Sequence, residues 1–436
     1  MQLLKNWQIK RLWDISNIAY GKNLATKDFK NTGYPVFWAN WVIGFNDKYL
    51  YENEMLLISC RWAASWKVNM SPKQCFITNN SLVLSLNETK EEHRKYIYFF
   101  LKIIDKSKIV TWSAQPQVTI NNVTNLEIPL PSLETQHLIV SEIEKQFSRL
   151  DEWLSSLLRI RANLKSYRAS LLKSAIEWRL TEEWRAENPD IESADLLLNR
   201  IRTARKEKWI QENPGKKYRE PEIVKEVIEW VALPEIWVWV RLEQVTEIIS
   251  DWDHNAPPKA KSWVPFITIW NITNNTIDFS RTFFVLDEYF KKLKITRKPF
   301  RWDVLYTVTW SFGIPVLIDF DFDFCFQRHI WLVRPSEGFT QKFLFYLLQS
   351  NLVFSQANKT ATWTAQKTVW LESIRNFKIP LPPLLEQHRI VEILEEKFSV
   401  IDSLESLVHA NIRRAENLKQ AILKKAFSGE LVWENH

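Results

Sequence analysis

One segment of the chain occurs twice. Ile128-Pro-Leu-Pro-Ser-Leu-Glu-Thr-Gln-His137 returns as Ile379-Pro-Leu-Pro-Pro-Leu-Leu-Glu-Gln-His388, and over residues 128–151 this offset of 251 holds 13 identities in 24 positions. Phe147/Phe398 and Asp151/Asp402 are among them, and Leu172-Lys173-x-Ala175 still matches Leu423-Lys424-x-Ala426. Near the start a different offset, 230, pairs Trp7 with Trp237, Arg11-Leu12 with Arg241-Leu242 and Pro35 with Pro265. A repeat on this scale restricts the chain to folds built from two like units.

Each copy divides in two. Residues 1–133 and 235–383 carry short apolar runs broken by polar loops. Met55–Ser59, Ser81–Ser85, Val264–Ile269 and Val304–Val308 read as strands, and 91–105 and 339–351 read as helices, so the class is α+β. Residues 134–178 and 384–429 read as long helices that start after a proline stop. Phe147, Leu150, Leu154, Leu157, Leu164 and Leu171 follow heptad spacing, interrupted by Arg161 and Arg168. Leu394, Phe398, Ile401 and Val408 repeat the plan. Two apolar seams in one chain predict an antiparallel coiled-coil spacer between the globular parts. Residues 179–234 form a connector of nearly balanced charge, with a helix expected near 193–212.

Composition removes several classes. No run approaches the roughly 18–20 apolar residues of a membrane span. Met1–Asn6 lacks a signal-peptide core, so a cytoplasmic protein with reduced Cys60, Cys75 and Cys325 is expected. No catalytic or metal-binding constellation is evident, and His137 and His388 read as packing or capping residues. With Trp62 and Trp66 read as glycine, the 61–68 stretch is still one residue short of a phosphate-binding loop and lacks its magnesium-holding hydroxyl. Net charge is +7, compatible with a polyanionic partner. The readable sites are polar loops beside strands: Asn40, Arg61, Ser65, Lys67, Gln115 and Gln117 in copy one, and Asn271, Thr309, Ser311, Gln366 and Lys367 in copy two. Such side chains can read base edges and hold phosphates.

This layout resembles the specificity subunit of type I restriction-modification systems. Two variable α+β units, each closed by Pro-Leu-Pro-x-x-x-x-Gln-His and a long helix, carry the resemblance over nearly the whole chain. Ala175-Ile-Glu-Trp-Arg-Leu-Thr-Glu-Glu-Trp-Arg185 and Lys425-Ala-Phe-Ser-Gly-Glu-Leu431 extend it. The resemblance implies two target recognition domains, each reading half of a bipartite double-stranded DNA site, and helices that act as spacer and dock. It implies methyltransferase and restriction/translocase partner subunits, with S-adenosylmethionine, ATP and magnesium on those partners and no cofactor or catalysis on this chain. Two other readings stay open: a sequence-tolerant single-strand binder using basic and aromatic residues, and a coiled-coil scaffold.

Glycine and tryptophan are the departure. The chain has 7 glycines and 23 tryptophans, where average usage of about 7% predicts roughly thirty glycines. Relative to the family, Trp38, Trp41, Trp62, Trp66, Trp112, Trp178, Trp263, Trp302 and Trp310 stand at glycine-like positions. The duplication says the same: Trp178 aligns with Gly429 and Trp263 with Gly33. The pattern predicts a gene in which UGA means glycine, translated with UGA as tryptophan, while Trp7, Trp184, Trp209 and Trp237 fit as real.

Overall fold

Alternating apolar residues place the strands of both copies between two cores. The computed structural model describes residues 7–61, 66–105, 107, 109, 117–222, 224, 233–251, 257–363 and 367–431. The chain divides into unit 1, residues 1–160 with 407–436, and unit 2, residues 161–406. Each unit therefore takes one globular part and a stretch of both long helices.

In unit 1 a four-stranded antiparallel sheet runs in the order Ser16–Tyr20, Ser81–Leu86, Leu56–Ser59, Val68–Met70. A three-stranded sheet runs Trp41–Asn46, Tyr34–Trp38, Phe76–Ile77, its last pair parallel. Side chains alternate across a strand. Leu56, Ile58, Leu82 and Leu84 thus share a core with Tyr96, Ile97 and Phe100 of the helix Glu91–Ile103, while Leu57 and Val83 join Phe37 and Ile77 on the other face. Each such burial contributes about 1.5–3 kcal/mol.

Unit 2 repeats both sheets in the same order. The first is Thr246–Ser250, Ile330–Pro335, Val304–Thr307, Pro315–Leu317. The second is Phe283–Val285, Val264–Ile267, Cys325–Phe326. The expected helix 339–351 is Gln341–Gln349, and a second one, Asn351–Thr360, follows because Ser350 breaks off to cap Val353 N.

The repeated Ile-Pro-Leu-Pro segments are strands before they are stops. Glu127–Leu130 pairs with Gln8–Arg11, and Lys378–Leu381 with Val238–Arg241. Two-stranded ribbons leave edges on which Pro129 and Pro380 need not donate. The second proline of each ends the strand, and helices of 44 and 45 residues run over Leu133–Ile176 and Leu384–Ser428. Such helices are about 66 Å long.

The two helices pair antiparallel. In unit 1, Ile139 and Ile143 share a core with Leu423, Ala426 and Phe427; in unit 2, Leu171, Leu172 and Ala175 do so with Leu394, Phe398 and Ile401. Leu157, Leu171, Leu394, Phe398, Ile401 and Val408 are buried and Phe147, Leu150, Leu154 and Leu164 half-buried, so no expected seam residue faces solvent outright. Arg168 does not simply break the seam: its guanidinium lies 4.5 Å over the Phe398 ring.

The connector is more structured than its charge suggests. Its helix Ala194–Glu212 buries Ala194, Leu197, Leu198 and Ile201 in the unit 2 core. Before it, Arg185 donates to the fully buried Glu386 at 2.8 and 3.0 Å, Thr181 at 2.7 Å and Trp237 Nε1 at 2.6 Å. Among the described residues no helix is long and apolar enough to cross a membrane.

Candidate nucleic-acid interface

A hydroxyl at the end of one strand shapes the loop that follows it in each unit. In unit 1, Ser59 Oγ accepts from Lys67 N at 3.1 Å, Ser59 N donates to Lys67 O at 2.9 Å, and Trp66 N donates to Ser59 O at 2.8 Å. In unit 2, Thr307 Oγ1 accepts from Ile314 N at 2.9 Å, Thr307 N donates to Ile314 O at 3.1 Å, and Gly313 N donates to Thr307 O at 2.9 Å. These are the same hairpin closure, and they equate Trp66 with Gly313.

Two further segments converge on each hairpin. Cys60 N donates to Asn80 O and Val118 N to Cys60 O, both at 3.0 Å. In unit 2, Val308 N donates to His329 O and Val369 N to Val308 O, again at 3.0 Å. One residue on, Arg61 bridges Gln117 and Thr309 bridges Thr368. Each site is therefore a hairpin loop, a strand-end turn and a returning segment held by one backbone network. The architecture is shared and the side chains are not.

In unit 1 the network brings Arg61, Lys67 and Gln117 together, all exposed. Asn40 is tied to the loop base, its Oδ1 accepting from Asn69 Nδ2 at 2.6 Å and from Ser59 Oγ at 3.4 Å. Asn40 Nδ2 is buried without a hydrogen-bond partner among the described residues. Ser65 and Gln115 lie outside the described residues.

Unit 2 differs from expectation. Asn271 is 5% exposed and spent on the fold: its Oδ1 accepts from Thr268 N and Oγ1 at 2.9 and 2.8 Å, and its Nδ2 donates to Asp278 O at 3.1 Å. A buried side chain with its amide so engaged offers nothing to a ligand in this arrangement. Thr309 is also buried, with its hydroxyl 3.0 Å from His329 Nδ1 and 3.5 Å from Thr368 Oγ1. Ser311 is exposed, and its carbonyl accepts from Thr307 Oγ1 at 2.7 Å. Lys367 is placed by backbone only, paired with Trp363, and Gln366 lies outside the described residues.

The sequence reading missed Asn69, Arg328, His329 and Thr368. Burial and the neighbouring Arg328 push the His329 imidazole down, which favours a neutral ring against Thr309. Arg328 itself is exposed beside it. A signal did exist for Asn271, because Thr268-x-x-Asn271 is a capping spacing. His137 and His388, expected as packing or capping residues, are instead exposed, each the fifth residue of its long helix.

Burial pushes the Cys60 thiol up to about 11 and Cys325 up to about 12, where a thiolate is scarce. Among the described residues no group of three or more His, Cys, Asp or Glu side chains is placed to hold a metal ion. What the loops offer is cations, amides and hydroxyls at the ends of rigid strands.

Comparison with known proteins gives these loops a context. The model of the type I restriction modification DNA specificity domain matches twice, over residues 4–154 and 234–409. The type I restriction enzyme EcoDI specificity subunit of Escherichia coli is 22% identical over 440 residues, spanning 98% of this chain and 89% of its own. The MjaVIII specificity subunit of Methanocaldococcus jannaschii is also 22% identical, spanning 100% and 95%. A solved chain from a type I restriction-modification system superposes with a TM-score of 0.67 at 18% identity, over 99% of this chain and all of that one.

Proposed function

Since the chain belongs to the family of type I restriction-modification specificity subunits, we propose that it reads a bipartite double-stranded DNA target, one half-site per unit. One observation carries this reading: the same three-segment loop site recurs in both units with different side chains in it. A shared scaffold sets where DNA is met, and Arg61 and Gln117 on one side against Ser311 and Arg328 on the other set what is read. Phosphate contacts from Lys67 and its neighbours supply salt-dependent affinity and register, and base-edge contacts supply choice.

The long helices serve as the spacer that fixes the gap between half-sites and as the dock for methyltransferase subunits. S-adenosylmethionine belongs to those subunits, and ATP and magnesium to a restriction/translocase subunit, all in the cytoplasm. Removing seven residues from each helix in register shortens the pair by about 10 Å, or roughly three base pairs at 3.4 Å per step. Methylation mapping of the complex with its methyltransferase subunit is expected to show a shorter gap between unchanged half-sites. Altered half-sites with an unchanged gap sink the proposal. Tight binding to any single strand supports the stacking alternative instead, and no DNA binding at low salt supports the scaffold.

A further inference from the structure

We propose that residues 66, 178, 263, 302 and 310, written as tryptophan, are glycine in the protein as its own cell makes it. This stands apart from the DNA target, because it rests on backbone geometry and on the duplication alone.

Left-handed backbone is where a side chain costs most, and a bulky residue there is an outlier. Among the described residues nine that are not glycine have positive φ, and five of them are tryptophan: Trp66 at 64°, Trp178 at 54°, Trp263 at 110°, Trp302 at 75° and Trp310 at 62°. Two of the other four, Asn274 and Asn275, are of the type that tolerates this region. No general preference puts tryptophan there.

The second copy supplies a control for three of the five. Trp263 precedes its strand as Gly33 precedes the equivalent one, and Gly33 has φ of 128°. Trp178 follows the first long helix as Gly429, at 84°, follows the second. Trp66 occupies the hairpin position of Gly313, at 91°, by the matched hydrogen bonds to Ser59 and Thr307. At Gly33 a Cβ has no room, because it would run into the backbone oxygen of Asn46, and at Gly313 it would lie 2.8 Å from Phe354 Cδ2, so that ring would have to shift.

The Trp263 and Trp310 rings do little for the fold, being 70% and 57% exposed. Trp66 is buried in the unit 1 core, but its Nε1 has no hydrogen-bond partner among the described residues. Trp237 is the contrast: it aligns with Trp7, and its Nε1 donates to Glu386. Trp38 and Trp41 lie in strands flanking the left-handed Ala39, so this criterion does not select them. Trp62 and Trp112 lie outside the described residues.

A gene that spells these glycines as UGA yields the full chain only where UGA is read through. It also converts Trp66 and Trp310, in the two candidate DNA loops, into turns whose backbone can approach a ligand closely. The exposed Trp270–Trp310 ring pair, 6.2 Å apart as written, then disappears and takes with it an aromatic platform for single strands.

Peptide mass spectrometry of the protein isolated from cells that carry the gene tests this directly. Glycine is expected at 66, 178, 263, 302 and 310, with tryptophan retained at 7 and 237. Tryptophan at 66, 178 and 263 overturns the proposal, as do UGG codons at those three positions.

Discussion

In unit 1 the Phe147 ring lies between Phe99, 5.7 Å away, and the Lys419 ammonium at 5.3 Å, and Asp151 holds the lysine. In unit 2 the Phe398 ring lies between Tyr346 at 5.6 Å and the Arg168 guanidinium at 4.5 Å, and Asp402 holds the arginine. Every member of one quartet is the repeat partner or structural counterpart of a member of the other. The loops of the same two units share a backbone network and almost no side chains. One half of the molecule repeats its chemistry and the other repeats only its geometry, as expected if the helices serve a constant partner and the loops a variable one.

The sharpest break in that symmetry is Glu386, whose repeat partner is the half-buried Thr135. Glu386 is fully buried and takes Arg185, Thr181 and Trp237, so Glu386→Ala strands a guanidinium and an indole N–H in the core. Breaking a buried pair this way costs about 3–5 kcal/mol. Thr135→Ala removes one hydroxyl contact to Ser132, 3.0 Å away, a loss of about 1 kcal/mol or less. Urea unfolding of the two variants checks the contrast, and equal losses would show that the connector is not anchored through Glu386.

The loops predict smaller, directional effects. Arg61→Ala should weaken recognition at one half-site by about 1–3 kcal/mol, roughly fivefold to 150-fold, and leave the other half-site as selective as before. Binding to duplexes mutated in each half-site reads this out. Lys67→Ala should weaken all sequences alike and lower the salt slope by about 1, which a titration of affinity against salt measures. Equal loss on every duplex for both variants would mean that Arg61 holds phosphate rather than a base.

Much of this was legible in the sequence and some was hidden for physical reasons. The long helices, their seams and the main strands follow from periodicity, which burial imposes directly. The equivalence of Arg61 with Thr309 does not, because the closures Ser59–Lys67 and Thr307–Ile314 enclose loops that differ by one residue. Only the hydrogen-bond register aligns them. Asn271 looked like a ligand-facing amide because a polar residue in a loop has the same letter whether it faces solvent or caps a turn. The Arg185–Glu386 anchor joins residues 201 apart, a distance over which local charge balance says nothing.

The smallest expected effect tests the symmetry itself. Lys419 already performs in unit 1 the task Arg168 performs in unit 2: it covers a phenylalanine face and meets an aspartate of the opposite helix. Arg168→Lys keeps the charge and loses the planar stack, and Asp402 is 64% exposed, so solvent screens much of the ion pair. The expected loss is under about 1 kcal/mol. Arg168→Ala should cost more, because it also uncovers the Phe398 ring. If thermal unfolding finds Arg168→Lys as damaging as Arg168→Ala, a cation of either kind does not suffice there, and the two ends of the helix pair are held by different interactions despite their matching residues.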